Sequence, residues 1–134
     1  MLDIAWLCQQ HSTLSDLRET KTLVDVEVVT NTGCVFAHRV VLAAHSRFFR
    51  ARFSQDWGHE AKASVNLQHL QHDALLDIVR ALYGGRLHLD EKNALDVLSI
   101  ACELDVPALV EAATAVRSGP SRGWYYSSVW YCDY

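Results

Sequence analysis

One segment near the middle of the chain, residues 36–53 (FAHRVVLAAHSRFFRARF), constrains the fold more than any other. It starts with the pattern of a strand end and continues with two short stretches of helical pattern. In these stretches the apolar residues are spaced so that they lie on one face of a helix. Ser46 precedes the second period, where a helix N-cap accepts hydrogen bonds from free backbone N–H groups. The segment therefore predicts a strand that turns directly into two helices. The apolar positions expected on their shared buried face are Phe36, Val41, Leu42, Phe49 and Phe53.

Before this segment, the sequence has the alternation of a β-hairpin. Residues 24–29 place a valine at every second position, so that one face of a strand is apolar. Residues 31–33 supply a glycine-containing turn, and residues 34–38 return as the partner strand. A third, shorter strand is predicted at residues 64–67.

The rest of the chain has the apolar periodicity of helices. Residues 4–20 predict an amphipathic helix at the N-terminus, and three helical periods follow the third strand. Asp73 and Asp90 are placed to cap the first two of these, Gly84-Gly85 to end the first, and Pro107 to begin the third. Few strands followed by many helices predict an α+β fold, a small three-stranded sheet flanked by about five to six helices.

The composition changes abruptly after residue 117. Residues 118–123 have a linker-like composition, and residues 124–134 contain six aromatic side chains. We expect one domain over residues 1–117, with its core at about 12–116, and a separate aromatic tail at 118–134. The tail either covers an apolar groove of its own domain, binds a partner or is disordered. An aromatic cluster of this kind would promote aggregation if it were left exposed.

Charge and cysteine usage exclude several classes of protein. A net charge of −4 leaves no basic surface for nucleic acid. The four cysteines are scattered without a C-x-x-C pair, which is typical of reduced thiols. The N-terminus lacks a signal-peptide pattern, and no apolar run approaches the roughly 20 residues that span a bilayer. We therefore expect an intracellular protein, cytoplasmic and/or nuclear, with no membrane or direct nucleic-acid partner.

Two histidine patterns are weak candidates for chemistry. His69-x-x-His72 could bind a metal only if both rings faced one way and further ligands joined them, so surface histidines are the commoner explanation. His45-Ser46 lacks the strained elbow of a hydrolase, and adjacent residues seldom face each other on a helix. The sequence therefore predicts no enzyme, no metal site and no cofactor.

Five motifs follow one another over about residues 12–116. They are Leu23-Val-Asp25-Val-Glu-Val, Phe36-x-His-Arg-x-x-Leu42, Ser46-x-x-Phe49-x-x-x-Phe53, Tyr83-Gly-Gly-Arg-Leu and Asn93-Ala-Leu-x-x-Leu98-x-x-Ala101-x-x-Leu104-x-x-Pro107-x-Leu109. In these motifs and their order the chain resembles the BTB/POZ family of interaction domains. The segment 36–53 is similar to the family's most specific stretch, and Gly84 stands where the family usually has threonine.

The resemblance implies a homodimer with a charged pocket close to its two-fold interface. By similarity, Asp25 and Arg39 would form that pocket; alternatively they make a structural ion pair, or Arg39 is simply exposed. The dimer surface would fall on the N-terminal helix, where Leu14 and Leu17 are the expected contacts. The alternative is that both leucines pack only within their own chain.

Many members of the family deliver substrates to cullin-based ubiquitin ligases through a helix and the loop after it. In this chain the corresponding positions are Phe49 and Phe53 on the helix, with Trp57 as the apolar anchor of the loop. Glu60 follows the anchor after two spacers, where the family has one, which can move the carboxylate away from its partner. Trp57 is therefore either an interface hot spot or a loop aromatic folded back on its own domain.

The resemblance supports two functions of the same class. The first is a homodimerising adaptor for a cullin-RING ubiquitin ligase. The alternative is the dimerising module of a transcriptional regulator, which offers a groove to corepressor peptides. The residues after 116 contain neither Kelch-type repeats nor a zinc-finger pattern, so pairing with other, longer BTB proteins is a further expectation.

Overall fold

The computed structural model describes residues 13–55, 63–118 and 124–126. Within them, a small sheet and a two-stranded ribbon are surrounded by helices, which confirms the predicted α+β architecture. In chain order the elements are α1 (residues 13–19), β1 (Val26–Val29), β2 (Cys34–Ala37), α2 (Arg39–His45), α3 (Arg47–Gln55), β3 (Ala63–Asn66), α4 (His72–Leu82), β4 (Leu87–Leu89), α5 (Ala94–Leu104), α6 (Pro107–Ser118) and β5 (Trp124–Tyr126).

The valine alternation places β1 at the centre of the three-stranded sheet, in the order β2-β1-β3. Val26 and Val28 of β1 are buried, as predicted, whereas Val24, expected on the same face, precedes the strand and is half-buried. β2 pairs with β1 in antiparallel fashion, with Val26 opposite Ala37. β3 pairs with the other edge of β1 in parallel, because α2 and α3 carry the chain back across the sheet.

The helices cover the sheet and pack against one another to complete a single core. α2 packs on α3, α5 packs on α6, and α4 contacts β2, α2, α5 and β4. Its near-continuous apolar sequence is explained by this central position. The largest fully buried side chains of the core are Tyr83, Phe49, Leu42, Leu75, Ile78, Leu82, Leu89, Leu104, Leu109, Val26, Val28 and Val35.

Ser46 joins two of these helical pairs. The backbone N–H of Phe49 donates to Ser46 Oγ at 3.1 Å, which confirms the predicted N-cap of α3. The Ser46 hydroxyl in turn donates to the carbonyl of Leu104 at the end of α5. Because Ser46 is fully buried, this side chain fixes α3 relative to α5 as well as starting α3.

The end of α4 is a Schellman motif, as the two glycines predict. Gly84 has φ of 94°, its N–H donates to the carbonyl of Ala81 at 3.1 Å, and the N–H of Gly85 donates to that of Arg80 at 2.9 Å. An alanine Cβ at Gly85 would lie 2.9 Å from the Arg80 carbonyl oxygen. Both glycines therefore have a structural reason at this turn.

The two aspartate caps predicted from sequence are wrong. α4 begins at His72 with Gln71 at its N-cap, so Asp73 lies inside the first turn, where it still interacts favourably with the helix dipole. Asn93 is the N-cap of α5, while the Asp90 carboxylate accepts from backbone N–H groups within the preceding turn. Short local patterns locate these helix starts only to within a few residues.

The C-terminal ribbon consists of β4 and β5 in antiparallel pairing. Leu87 stands opposite Tyr126 and Leu89 opposite Trp124. At residues 124–126 the aromatic tail therefore lies on its own domain. In the part of the chain that the structure describes, no helix has the length and apolar character needed to cross a membrane.

Candidate functional site

Asp25 and Arg39 meet in an ion pair that joins the entry of β1 to the start of α2. Arg39 Nε donates to Asp25 Oδ2 at 3.1 Å, and the Arg39 backbone N–H donates to Oδ1 at 2.7 Å. The carboxylate thus caps the N-terminus of α2 while it pairs with the guanidinium. The side chains are 15% and 36% exposed for Arg39 and Asp25, so the pair is half-solvated and its worth to stability is modest.

A buried chain of hydrogen bonds lies beside this pair. The Tyr83 hydroxyl, at the end of α4, is 2.8 Å from the backbone N of His38 and 2.7 Å from its Nδ1. His38 Nε2 is 2.9 Å from the carbonyl oxygen of Thr22. These bonds connect the buried end of α4 with the surface segment between α1 and β1.

The geometry of this network assigns its protons. A carbonyl oxygen can only accept, so His38 Nε2 carries the hydrogen that it donates to Thr22. In the neutral imidazole that carries its hydrogen on Nε2, Nδ1 accepts from the Tyr83 hydroxyl, whose oxygen accepts from the His38 backbone N–H. His38 is buried, so it serves as a packing and hydrogen-bonding residue at the strand-to-helix turn.

Tyr83 is buried in the same network, and its ionisation responds to that burial. Desolvation raises the pKa of its hydroxyl to about 12, against a smaller opposing effect of the hydrogen bond from the His38 backbone. The Arg18 guanidinium lies 5.6 Å from the ring centroid and also opposes the rise. The hydroxyl is therefore neutral at physiological pH and keeps the proton that it donates to His38.

The segment between α1 and β1 has an unusual backbone. Lys21 has φ of 56°, and Thr22 N–H donates to the carbonyl of Leu17 at 2.8 Å, so the end of α1 is a Schellman-type turn without glycine. Leu23 has φ of 60°, which costs a branched L-residue about 1–2 kcal/mol. The hydrogen bond from His38 to Thr22 is one of the contacts that hold this conformation.

This backbone directs an apolar side chain into solvent. Leu23 is 77% exposed, Val40 on α2 is 73% exposed, and Leu14 on α1 is 37% exposed. Leu23 lies two residues before Asp25, and Val40 directly follows Arg39, so both flank the ion pair. We call Leu14, Leu23 and Val40 the apolar patch. Single exposed apolar side chains are ordinary, so these three are only candidates for an interaction surface, chosen because hydrogen bonds join the segments that carry them.

Two members of the apolar patch were missed by the sequence analysis. Leu23 precedes β1 and has a left-handed backbone, so the alternation of the strand does not determine which way it faces. Val40 belongs to an apolar run in a helix of seven residues, which cannot bury every member. Of the two leucines expected at a dimer contact, Leu14 is exposed and Leu17 is half-buried.

Phe49 and Phe53 lie in the core and not on the surface that a partner could contact. They are 1% and 4% exposed, and their rings stack with centroids 5.6 Å apart in the core. The expectation that their side chains touch a partner is therefore corrected: they hold α3 in place from inside. Trp57 and Glu60, the predicted partner contacts of the following loop, lie outside the described residues.

The two histidines of the His69-x-x-His72 pattern have separate partners. His69 Nε2 is 2.6 Å from Glu103 Oε1 on α5, whereas His72 Nδ1 is 2.8 Å from Thr30 Oγ1. The two rings therefore contact different elements, α5 and the β1–β2 turn, and the second contact joins that turn to α4. Within residues 13–55, 63–118 and 124–126, no three His, Cys, Asp or Glu side chains are grouped closely enough to hold a metal ion.

The fold and the features at its surface are those of a protein-interaction domain. The sequence matches the family model of the BTB/POZ domain over residues 14–119. This chain belongs to the BTB/POZ domain family. BTB domains dimerise and bind other proteins, and the fold is not that of an enzyme family.

Relatives of known name agree with this assignment. Human Kelch-like protein 38 is 33% identical over 102 residues, which cover 76% of this chain and 18% of that protein. Kelch repeat and BTB domain-containing protein 1 of camelpox virus (strain CMS) is 29% identical over 97 residues, which cover 72% and 17%. The chain therefore spans only a small part of the length of these relatives.

A solved structure shows the same fold. The BTB domain of zebrafish PATZ1 superposes with a TM-score of 0.76 and covers 87% of this chain and 94% of that domain. Its sequence identity is 18%, so the likeness concerns the fold alone.

Proposed function

We propose that this chain is an intracellular protein-interaction module that homodimerises through the apolar patch and acts as an adaptor for a cullin-RING ubiquitin ligase. The observation that carries the first part is the exposure of the apolar patch, two of whose members, Leu23 and Val40, lie close in sequence to the ion pair. Kelch-like relatives support the second part.

Burial of the apolar patch supplies a driving force for association. Covering one exposed leucine is worth about 1.5–3 kcal/mol. In a two-fold dimer each patch residue is buried once in each subunit, so its contribution is counted twice. The half-exposed carboxylate of Asp25 would lose solvent at the same interface, and its bonds to Arg39 keep it partnered there.

Leu23→Asn tests the dimer without threatening the fold. Asparagine accepts positive φ better than leucine, so the substitution relieves backbone strain and should leave the unfolding free energy of the monomer unchanged or higher. Loss of two buried leucines per dimer should weaken association by about 3–6 kcal/mol. Analytical ultracentrifugation over a concentration series measures the dissociation constant directly.

Leu95→Asn is the matched control. Leu95 is 58% exposed but lies on α5, so its replacement should leave the dimer intact. A dimer that survives Leu23→Asn unchanged, or a wild-type chain that stays monomeric at high concentration, would contradict dimerisation through this patch.

The adaptor role places a cullin on α3 and the loop after it. Phe49 and Phe53 anchor α3 in the core, so that its outer face is held rigid. Exposed Arg47 and Arg50 lie on that outer face, where Arg50 Nε also donates to the Ala43 carbonyl at 3.0 Å. A helix face that exposes arginine and is followed in the sequence by Trp57 has the composition of a protein-binding surface, in which tryptophan and arginine are enriched.

A titration of the full chain against a cullin N-terminal domain tests this role. We expect binding that Trp57→Ala weakens by about 2 kcal/mol or more, as for an interface hot spot. Leu23→Asn is a second variant for the same titration. It should lower the mass of the complex by disrupting the dimer, and it should leave the affinity of the cullin for α3 unchanged. Absence of binding from a folded dimer would reject the adaptor function and favour a groove for corepressor peptides.

A further inference from the structure

The charges of this chain are segregated by sign. Residues 36–55 contain four arginines and no aspartate or glutamate, although the whole chain has a net charge of −4. Residues 90–111 contain six acidic side chains and one lysine. A chain divided in this way presents a basic region and an acidic region, and each region attracts the opposite charge.

The basic region lies on the outer face of α3. Arg47 and Arg50 are both exposed there, three residues apart, so their side chains are neighbours on the helix surface. Arg50 Nε donates to the carbonyl of Ala43 at 3.0 Å, a bond that holds the guanidinium in place and leaves its positive charge intact. We call Arg47 and Arg50 the basic face.

The acidic region adjoins the basic face at the turn between α5 and α6. Asp105 is exposed at the C-cap of α5, and Glu111 is exposed on α6, one helical turn after its first residue. The Arg47 N–H donates to the Asp105 carbonyl at 3.1 Å, so α3 begins directly beside this turn. We call Asp105 and Glu111 the acidic face.

These charges are not paired within their own chain. In the part of the chain that the structure describes, the side chains of Arg47, Asp105 and Glu111 make no ion pair or hydrogen bond. By contrast, Arg18 and Arg39 contact carboxylates at 2.6 and 3.1 Å. The basic and acidic faces therefore keep their charges available to another molecule.

We propose that the basic and acidic faces together form a docking surface for a second copy of this chain. Because the two faces adjoin, a two-fold axis between them lays the basic face of each copy on the acidic face of the other. Every attraction then occurs twice, and the pair is closed. The contact covers the outer face of α3, where the proposed function places a cullin, but it depends neither on that function nor on the apolar patch.

Sedimentation velocity of the full chain carrying Leu23→Asn measures this contact apart from dimerisation through the apolar patch. Exposed ion pairs are individually weak, and salt screens them. We therefore expect a concentration-dependent pair at about 0.05 M salt that dissociates at about 0.5 M salt. An association through apolar residues would not be weakened by salt in this way.

Charge reversal on each face identifies the residues in contact. Arg47→Glu puts a carboxylate in the first turn of α3, where the helix dipole favours it, and Glu111→Arg puts a good helix former on α6. Either variant alone should associate about tenfold more weakly, because two attractions per pair become repulsions. An equimolar mixture of the two variants should recover the original association, because each altered side chain then meets its opposite charge.

Lys92→Glu is the matched control, since it changes the net charge by the same amount as Arg47→Glu. Lys92 is exposed in the turn before α5, at the other end of that helix from Asp105, so its reversal should leave the association nearly unchanged. Circular dichroism checks that each variant is folded. The same series without Leu23→Asn, where the contact adds to any dimer of the apolar patch, repeats the test in the wild-type background.

Three results would overturn the proposal. The first is a folded chain that stays monomeric at low salt in the Leu23→Asn background. The second is an association that Arg47→Glu leaves as strong as before. The third is a mixture of the two charge-reversed variants that associates no more strongly than either variant alone.

Discussion

Removal of one buried hydroxyl should reveal how strongly the network under the apolar patch stabilises the domain. Tyr83→Phe deletes the oxygen that accepts from His38 N–H and donates to His38 Nδ1, at 2.8 and 2.7 Å. The ring is retained, so packing in the core changes little. The variant therefore isolates the polar contribution of Tyr83.

The magnitude follows from the groups left behind. His38 is 7% exposed, so its backbone N–H and Nδ1 would stay buried without partners. Each unsatisfied buried group costs about 1–3 kcal/mol, and some relief comes from no longer burying the tyrosine hydroxyl. We expect a loss of about 2–4 kcal/mol in the free energy of unfolding, measured by urea denaturation at neutral pH.

A double-mutant cycle with His38→Leu divides this loss. Leucine has no Nδ1, so Tyr83→Phe in that background leaves only the backbone N–H of residue 38 without a partner. The cost should then fall by about 1–2 kcal/mol, which is the coupling between the two side chains. If Tyr83→Phe costs less than about 0.5 kcal/mol, or costs the same in both backgrounds, the reasoning about this network is refuted.

Three further changes have defined outcomes. Ser46→Ala removes the cap of α3 and the bond to the Leu104 carbonyl, and should cost about 2 kcal/mol in urea denaturation, whereas Ser64→Ala on the exposed side of β3 should be near neutral. Gly85→Ala forces a Cβ against a backbone carbonyl and should cost about 1–3 kcal/mol by the same assay; a neutral effect would show that the α4 turn yields easily. Burial raises the pKa of Tyr83 from 10.0 to about 12, so between these pH values the folded state binds more protons than the unfolded state. The free energy of unfolding should therefore fall as the pH rises from about 10 to 12. If the Tyr83→Phe chain loses stability equally fast over the same pH range, the loss does not come from Tyr83.

The sequence by itself determined the three strands of the sheet, the helices and the order in which they follow one another. The alternating valines determined which face of β1 is buried, and the apolar periods determined the buried faces of the helices. Ser46 marked the start of α3, and the two glycines marked the end of α4. These features depend on backbone hydrogen bonds and side-chain spacing within a few residues, which a sequence displays directly. The predicted meeting of Asp25 and Arg39 came from resemblance to the family, and the structure brings the two side chains together.

Only the tertiary structure decided which apolar residues remain outside. Phe49 and Leu23 are both large and apolar, yet one is 1% and the other 77% exposed. The reason is that α3, which carries Phe49, packs against α2 and α5, whereas Leu23 has a left-handed backbone in the segment before β1. The link from Tyr83 through His38 to Thr22 joins positions far apart in sequence, so no local pattern displays it. The pairing of β4 with the tail is likewise a long-range contact. The sequence does not predict it, because segments of three residues are too short to have a recognisable periodicity.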